Sequence, residues 1–123
     1  MSFDPLLSAE PYCYRTTTGR KSGEPREIEI WFGLHGASLY LMSGGRDRSH
    51  WVRNMREDPA VTVRVGDLTL AGRSREVVAE SEEDALVREM LVAKYNPGYE
   101  RDLTDWGRTS LPIAIEFAGA AGS

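Results

Sequence analysis

The residues of this sequence with the clearest chemical potential are two cations and a hydroxyl in one short turn. Arg20, Lys21 and Ser22 are flanked by a glycine on each side. Side-chain cations and exposed backbone N–H groups on such a turn favour the binding of an anion. Arg26 follows closely and can bind a carboxylate or phosphate through two parallel hydrogen bonds. Charged turns are often merely solvated, so the rest of the chain decides between the two interpretations.

Two strands are predicted to position this turn. Tyr12 to Thr18 is rich in aromatic and β-branched residues, which favour a strand. From residue 26 onward, apolar residues at the even positions up to Leu34 share one face of a second strand. Trp31 therefore points to the opposite, polar face, where it could contact a ligand or a dimer partner. The charged turn would thus join the two strands of a hairpin.

The rest of the chain is predicted to form further strands and two helices. A short helix, capped by Asp47 or Ser49, runs to about residue 57. A longer helix begins after Ser81, which resembles a capping box with Asp84, and ends near residue 95. Four more strands are predicted at residues 38–43, 61–65, 68–78 and 111–117, with Gly72 as a bulge or bend.

The predicted elements favour a mainly β (α+β) fold. Six strands, joined mostly by tight hairpins and accompanied by one short and one longer helix, are typical of a small barrel. At 123 residues the chain fits one domain, residues 1–123. Residues 1–10 are predicted to form a loose arm and residues 118–123 a frayed tail.

Composition and charge exclude several classes of function. The sequence has no charged, apolar leader and no run of about 18 apolar residues, so we expect a cytoplasmic protein without a membrane-spanning segment. One cysteine and two widely spaced histidines predict no metal site. The net charge is −4, with an acidic excess confined to the second half of the chain. Local basic clusters on an acidic protein favour a small anionic ligand over a nucleic acid.

The sequence also lacks the residues for self-contained catalysis. There is no Gly-x-Ser-x-Gly motif, no Walker loop and no nucleophile with a reason to lie near either histidine. If the protein is an enzyme, a bound cofactor is therefore expected to carry the reaction.

Four stretches of the sequence together resemble the deazaflavin-dependent nitroreductase family. They are residues 16–26 (TTTGRKSGEPR), 39–45 (LYLMSGG), 50–63 (HWVRNMREDPAVTV) and 111–115 (LPIAI). The similarity follows a consistent order over about residues 12–117. It implies a split β-barrel of the FMN-binding-like type and the use of reduced coenzyme F420, with FMN as the less favoured cofactor.

The resemblance also implies which residues hold the cofactor. F420 has a planar deazaflavin ring and an anionic tail, so its site needs a flat slot and a group of cations. In the family, the charged turn binds the phosphate and tail, while a Ser-Gly loop and a helix contact the cofactor further along. Core packing would equally explain Trp51, and a plain strand end would explain the Ser-Gly-Gly segment. The implied cofactor-binding residues are Arg20, Lys21, Ser22, Gly23, Pro25, Arg26, Trp31, Ser43, Gly44, Trp51 and Asn54.

The reaction expected from the resemblance is hydride transfer from reduced F420 to a small electron-poor acceptor. A quinone, an activated alkene and a nitro compound all fit this description. Tyr99 or Tyr95 could donate the accompanying proton, although Tyr95 could equally pack within the long helix. Better-known family members have a proline and a tyrosine where this chain has Glu29 and Trp31, so the acceptor is left open.

Two alternative functions stay open at this point. Barrels of this kind bind ligands with little demand on catalytic side chains, so the protein could carry or store F420 or a fatty acid without turnover. It could also be an FMN-dependent oxidoreductase, since related split barrels use FMN. The protein is expected to be a monomer or a homodimer.

Overall fold

The computed structural model describes residues 7, 9–18, 23–99 and 102–117. Its strands are β1 (Cys13–Thr18), β2 (Pro25–Ile30), β3 (Gly33–His35), β4 (Ser38–Ser43), β5 (Ala60–Val65), β6 (Leu68–Glu76) and β7 (Leu111–Glu116). Its helices are α1 (His50–Glu57), α2 (Glu82–Tyr95) and α3 (Thr104–Thr109), with 3-10 turns at Arg46–Arg48 and Asn96–Gly98. The strands form one antiparallel sheet in the order β2-β1-β5-β6-β7-β4-β3.

The hydrophobic core lies on both sides of β4. Along β5, Val61, Val63 and Val65 are buried and the residues between them are exposed, as the period-two pattern predicts. Those valines pack in one cluster with Leu41 of β4. Residues of β4 with the opposite parity, such as Met42, pack in a second cluster with buried residues of α2. The sheet therefore encloses one core, and α2 closes a second core against its other face.

The sheet opens between β2 and β3, although these strands are consecutive in the chain; we call this opening the seam. The sequence predicts one strand across residues 26–34, but the structure interrupts it at Trp31 and Phe32, and β3 pairs with β4 at the opposite edge. The backbone N–H of Phe32 donates to the hydroxyl of Tyr95 at 2.9 Å, and its carbonyl accepts from the Lys94 amine at 3.0 Å. Because α2 side chains replace the missing strand partner, the chain can cross the seam here.

One helix begins where neighbouring residues predict it, and another is held by a contact from a distant part of the chain. α2 begins at the predicted cap, where Ser81 Oγ accepts a hydrogen bond from the Asp84 N–H at 3.1 Å. α3 lies between the long predicted helix and the last predicted strand, where no helix or strand was predicted. It is held by Arg88 of α2, whose guanidinium donates to the carbonyls of Gly107 and Arg108 at 2.9 and 3.0 Å. A contact from outside the segment therefore stabilises this short helix.

Of the bulge or bend predicted at Gly72, the bulge is absent, because Gly72 lies in regular β-pairing. Its Cα pairs with that of Val61, and the pairs on either side continue the register. A Cβ on Gly72 would lie 2.6 Å from the backbone oxygen of Glu116. The glycine is therefore needed because β7 approaches β6 closely at this point.

Some predictions fall outside the part of the chain that the structure describes. These are the tail at residues 118–123, most of the arm at residues 1–10, and the tip of the charged turn. Within the described ranges, no helix combines the length and apolar character needed to cross a membrane.

Candidate functional site

The loop after β4 is fixed by hydrogen bonds among its own residues. Ser43 is buried, and its Oγ donates to the carbonyl of Arg46 at 2.9 Å and shares a 2.6 Å hydrogen bond with Ser49 Oγ. Ser49 in turn precedes α1, so the end of β4 is tied to the start of that helix. The hydroxyl of Ser43, a predicted cofactor-binding residue, thus orders its own loop.

Gly44 presents exposed backbone beside an unpaired hydroxyl. A Cβ at Gly44 would lie 3.4 Å from Trp106 Cδ1 and 4.0 Å from Ser110 Oγ. Ser110 is fully buried, and its Oγ has no hydrogen-bond partner among the described residues. A buried polar atom without a hydrogen-bond partner is unfavourable. A hydrogen bond from a polar ligand atom to the Ser110 hydroxyl would therefore be stabilising.

Arg46 links this loop to the far end of α3. Its φ of 53° places a non-glycine residue in the left-handed region, which costs free energy unless the surroundings hold it. Its guanidinium donates to the carbonyl of Thr109 at 2.6 Å. The loop beside Gly44 is therefore held from both sides, by α1 and by the last residue of α3.

Four aromatic side chains surround the seam next to this loop. The ring of Trp31 stacks on Tyr95 with centroids 4.4 Å apart, and it meets Tyr99 and Trp106 edge-on at 5.5 and 5.4 Å. Trp31 belongs to neither core cluster, which agrees with its predicted strand face. A cleft of about 400 Å³, which we call the aromatic cleft, lies here and is lined by Ala9, Pro11, Tyr12, Trp31, Lys94, Tyr95, Gly98 and Tyr99.

The two candidate tyrosines have different environments in this cleft. The Tyr95 hydroxyl accepts from the Phe32 N–H at 2.9 Å and lies 2.8 Å from the Pro11 carbonyl and 3.1 Å from that of Phe32. Burial raises the pKa of Tyr95 to about 12, which makes it a poor proton donor. Tyr99 is 47% exposed, and its hydroxyl forms no hydrogen bond with any residue that the structure describes. Tyr99 is therefore the tyrosine available to a ligand.

Replacing each tyrosine by phenylalanine should separate these roles. Tyr95→Phe is expected to lower the free energy of unfolding by about 1 kcal/mol, because the Phe32 N–H at the seam loses its acceptor. Tyr99→Phe should change it by less than about 0.5 kcal/mol. Urea unfolding of both variants checks the prediction, and equal losses of stability would contradict it.

On α1, Trp51 and Asn54 contact the protein interior. Trp51 is partly buried and packs against the main core. The guanidinium of Arg15, on β1, lies 4.7 Å from the centroid of its ring. Arg15 is fully buried, and none of its three side-chain nitrogens has a hydrogen-bond partner among the described residues. Asn54 is also buried. The α1 residues expected to touch the cofactor thus pack, at least in part, against the core.

The charged turn is described only from its exit. Arg20, Lys21 and Ser22 lie outside the described residues. Gly23 has a φ of +72°, a conformation that glycine adopts without strain. Pro25 and Arg26 begin β2 and are exposed, with Arg26 paired to Thr17 of β1. The two strands of the predicted hairpin, β1 and β2, are therefore paired on either side of the turn.

The structure brings several predicted site residues close together, namely Gly44, Trp31, Tyr95 and Tyr99. It also adds residues that the sequence did not predict. Gly44 reaches Trp31 through Trp106, and Trp31 reaches both tyrosines. Trp106 lies in a segment for which no helix or strand was predicted, and nothing in the sequence distinguished Ser110 or Lys94. Their roles arise from contacts across the seam, which local patterns do not report.

Comparison with known proteins identifies similar chains. The sequence pattern of a family described as F420H(2)-dependent quinone reductase matches residues 5–117. A solved F420-H2-dependent reductase, FDR-A, is 30% identical, with 86% of this chain and 94% of that chain covered and a TM-score of 0.67. A structure described as a domain-swapped dimer is 27% identical over 86% of this chain and 80% of its own, with a TM-score of 0.67.

A conserved hypothetical protein from Mycobacterium tuberculosis shares the fold. It is 18% identical, with 96% of this chain and 81% of that chain covered and a TM-score of 0.71. The predicted mainly β split-barrel fold is confirmed, with seven strands where about six were expected, because the second predicted strand is divided at the seam, and with α3 as a further helix.

Proposed function

This chain belongs to the F420H(2)-dependent quinone reductase family, and we propose on that premise that it reduces an electron-poor acceptor with a hydride from reduced F420. The observation that carries the proposal is the continuity between Gly44 and the aromatic cleft. Gly44 lies against Trp106, which meets Trp31 edge-on at 5.4 Å. A flat ring bound at Gly44 and an acceptor bound in the cleft would therefore be neighbours, as hydride transfer requires.

The described residues fit the ring end of F420. Gly44 has no Cβ to block a planar ring, and the unpaired Ser110 hydroxyl offers a hydrogen bond beside it. We assign the ring to this loop, with Ser43 ordering it and Trp51 and Asn54 supporting it through α1. The cations and exposed backbone groups of the turn would hold the anionic tail. We assign this part of the site to Arg20, Lys21, Ser22, Gly23, Pro25 and Arg26.

The chain's own side chains would position the acceptor and supply a proton. When bound, reduced F420 provides the hydride, that is, two electrons and one proton. Trp31, which Tyr95 covers on one face, would contact a flat acceptor from the wall of the cleft. A quinone that accepts a hydride carries a negative oxygen and needs one further proton to become a hydroquinone. Tyr99 would donate that proton from its hydroxyl and regain one from water, to which it is exposed.

The acceptor class follows from the cleft. Its aromatic walls favour planar, electron-poor compounds, so we propose a quinone first, and an activated alkene or a nitro compound as the other acceptors. One structural relative is a domain-swapped dimer, and we propose a monomer or a homodimer for this chain.

Titration with F420 and with FMN, followed by cofactor fluorescence, tests the proposal. We expect F420 to bind at least tenfold more tightly, since F420 offers the turn the carboxylates of its tail in addition to a phosphate, whereas FMN offers a phosphate alone. The oxidation rate of reduced F420 is then measured with each member of a panel of quinones, alkenes and nitro compounds. Tighter binding of FMN would overturn the cofactor assignment. Stoichiometric F420 binding without reduction of any acceptor would indicate a carrier of F420 instead of an enzyme.

A further inference from the structure

A lysine at the end of α2 lies in the wall of the aromatic cleft. The Lys94 amine lies 3.7 Å from the centroid of the Phe32 ring and 5.1 Å from that of Tyr95. Within the described ranges it donates one hydrogen bond, to the Phe32 carbonyl at 3.0 Å. Since an ammonium group carries three N–H donors, two remain for other partners. The cleft therefore contains a positive charge as well as aromatic walls.

This charge has no carboxylate partner among the described residues. None of their ion pairs includes Lys94. The titratable groups that act on it are Cys13 and Glu10, with the hydroxyl of Tyr95 beside it. Burial raises the pKa of Cys13 to about 12, so the thiol is neutral. The Glu10 carboxylate lies instead beside Gly66, 3.3 Å from where a Cβ would stand.

We propose that Lys94 makes the aromatic cleft selective for planar acceptors that carry a negative charge, such as carboxylated or sulfonated quinones. The inference rests on the proposed function in placing the acceptor in this cleft. Trp31 and Tyr99 can hold a flat ring whatever its charge, so they supply affinity without discrimination. The ammonium group adds a charge-assisted hydrogen bond that only an anionic substituent can fully use. A half-buried cation is also screened less by salt than an exposed one.

Lys94 also makes this selectivity dependent on pH. Burial lowers the pKa of Lys94 to about 8, against the smaller opposing effects of Cys13 and Glu10. The positive charge is therefore present below pH 8 and is lost as the pH rises through that value. A permanently charged ligand should lose affinity over this range, whereas a neutral ligand of the same shape should not.

Calorimetric titration with two naphthalenes of the same shape tests the inference without turnover. Naphthalene-2-sulfonate carries a fixed negative charge, and naphthalene-2-sulfonamide is its neutral counterpart. We expect Lys94→Met to weaken binding of the sulfonate about tenfold, which is about 1.4 kcal/mol, and to leave the sulfonamide unchanged. Lys94→Arg should retain the preference for the sulfonate, because it keeps the charge.

The wild-type protein supplies a second arm that needs no variant. The ratio of the two affinities should fall several-fold between pH 7 and pH 9. Equal affinities at pH 7, a ratio that does not change with pH, or an unaltered preference in Lys94→Met would each overturn the inference. Reduction of a neutral naphthoquinone by reduced F420 is measured separately. If that reaction fails while the sulfonate preference persists, the proposed function fails and the charge selectivity stands.

Discussion

Replacing Arg20 and Lys21 together by alanine is expected to weaken F420 binding by roughly 10²- to 10⁴-fold. The reason is that each cation would contribute a charge-assisted hydrogen bond to the phosphate or carboxylates of the tail, worth about 1.5–3 kcal/mol. Fluorescence titration of wild type and variant measures the change. Raising the salt concentration should weaken binding to the wild type more than to the variant, because the variant has fewer charges to screen.

A matched control separates this specific loss from a change in overall charge. Arg56 and Arg108 form exposed ion pairs with Glu76 and Asp105. Replacing both arginines by alanine also removes two positive charges, so the net charge changes by the same amount. We expect that double variant to bind F420 within about threefold of wild type, since exposed ion pairs contribute little. Thermal unfolding should be similar for both double variants. Undiminished F420 affinity without Arg20 and Lys21 would remove the turn from the cofactor site.

Features set by neighbouring residues were predictable from the sequence. The alternating valines of β5 fix its buried face. The cap of α2 requires only Ser81 and the Asp84 N–H three residues later. The hairpin on either side of the charged turn also forms as predicted, with β1 and β2 paired along their full length. In each case the interaction joins residues that the pattern already places side by side.

Features set by distant contacts were not predictable. The alternation from residue 26 to residue 34 continues through Trp31 and Phe32, so nothing local marks the seam. The break depends on Lys94 and Tyr95, which bind the Phe32 backbone from more than 60 positions away. The same is true of the site: Ser110 lies beside Gly44 because β7 pairs with β4, with Leu111 opposite Ser43, and these two strands are far apart in the sequence. The seam thus positions both the aromatic cleft and Lys94, although the local sequence around Phe32 does not predict the seam.

Arg15→Met is expected to raise the free energy of unfolding by about 2 kcal/mol. Arg15 is fully buried without a hydrogen-bond partner among the described residues, and burial lowers its pKa to about 10. At about 1.4 kcal/mol per pKa unit, the buried charge costs about 3 kcal/mol. The ring of Trp51 offsets about 1 kcal/mol of this through its contact with the guanidinium. Methionine removes the charge, fills similar volume and keeps a favourable contact with the aromatic ring.

The gain in stability of Arg15→Met should depend on pH, which distinguishes removal of a buried charge from better packing alone. The cost of the charge is fully present below pH 10 and shrinks as the pH rises through 10, because wild-type Arg15 can then lose its proton. The advantage of Arg15→Met should therefore be largest near pH 7, where we expect a melting temperature higher by roughly 8 °C, and smaller at pH 10. Arg15→Lys keeps a charge and should give no gain. A lower melting temperature for Arg15→Met than for wild type would contradict the prediction, because it would mean that Arg15 stabilises the fold.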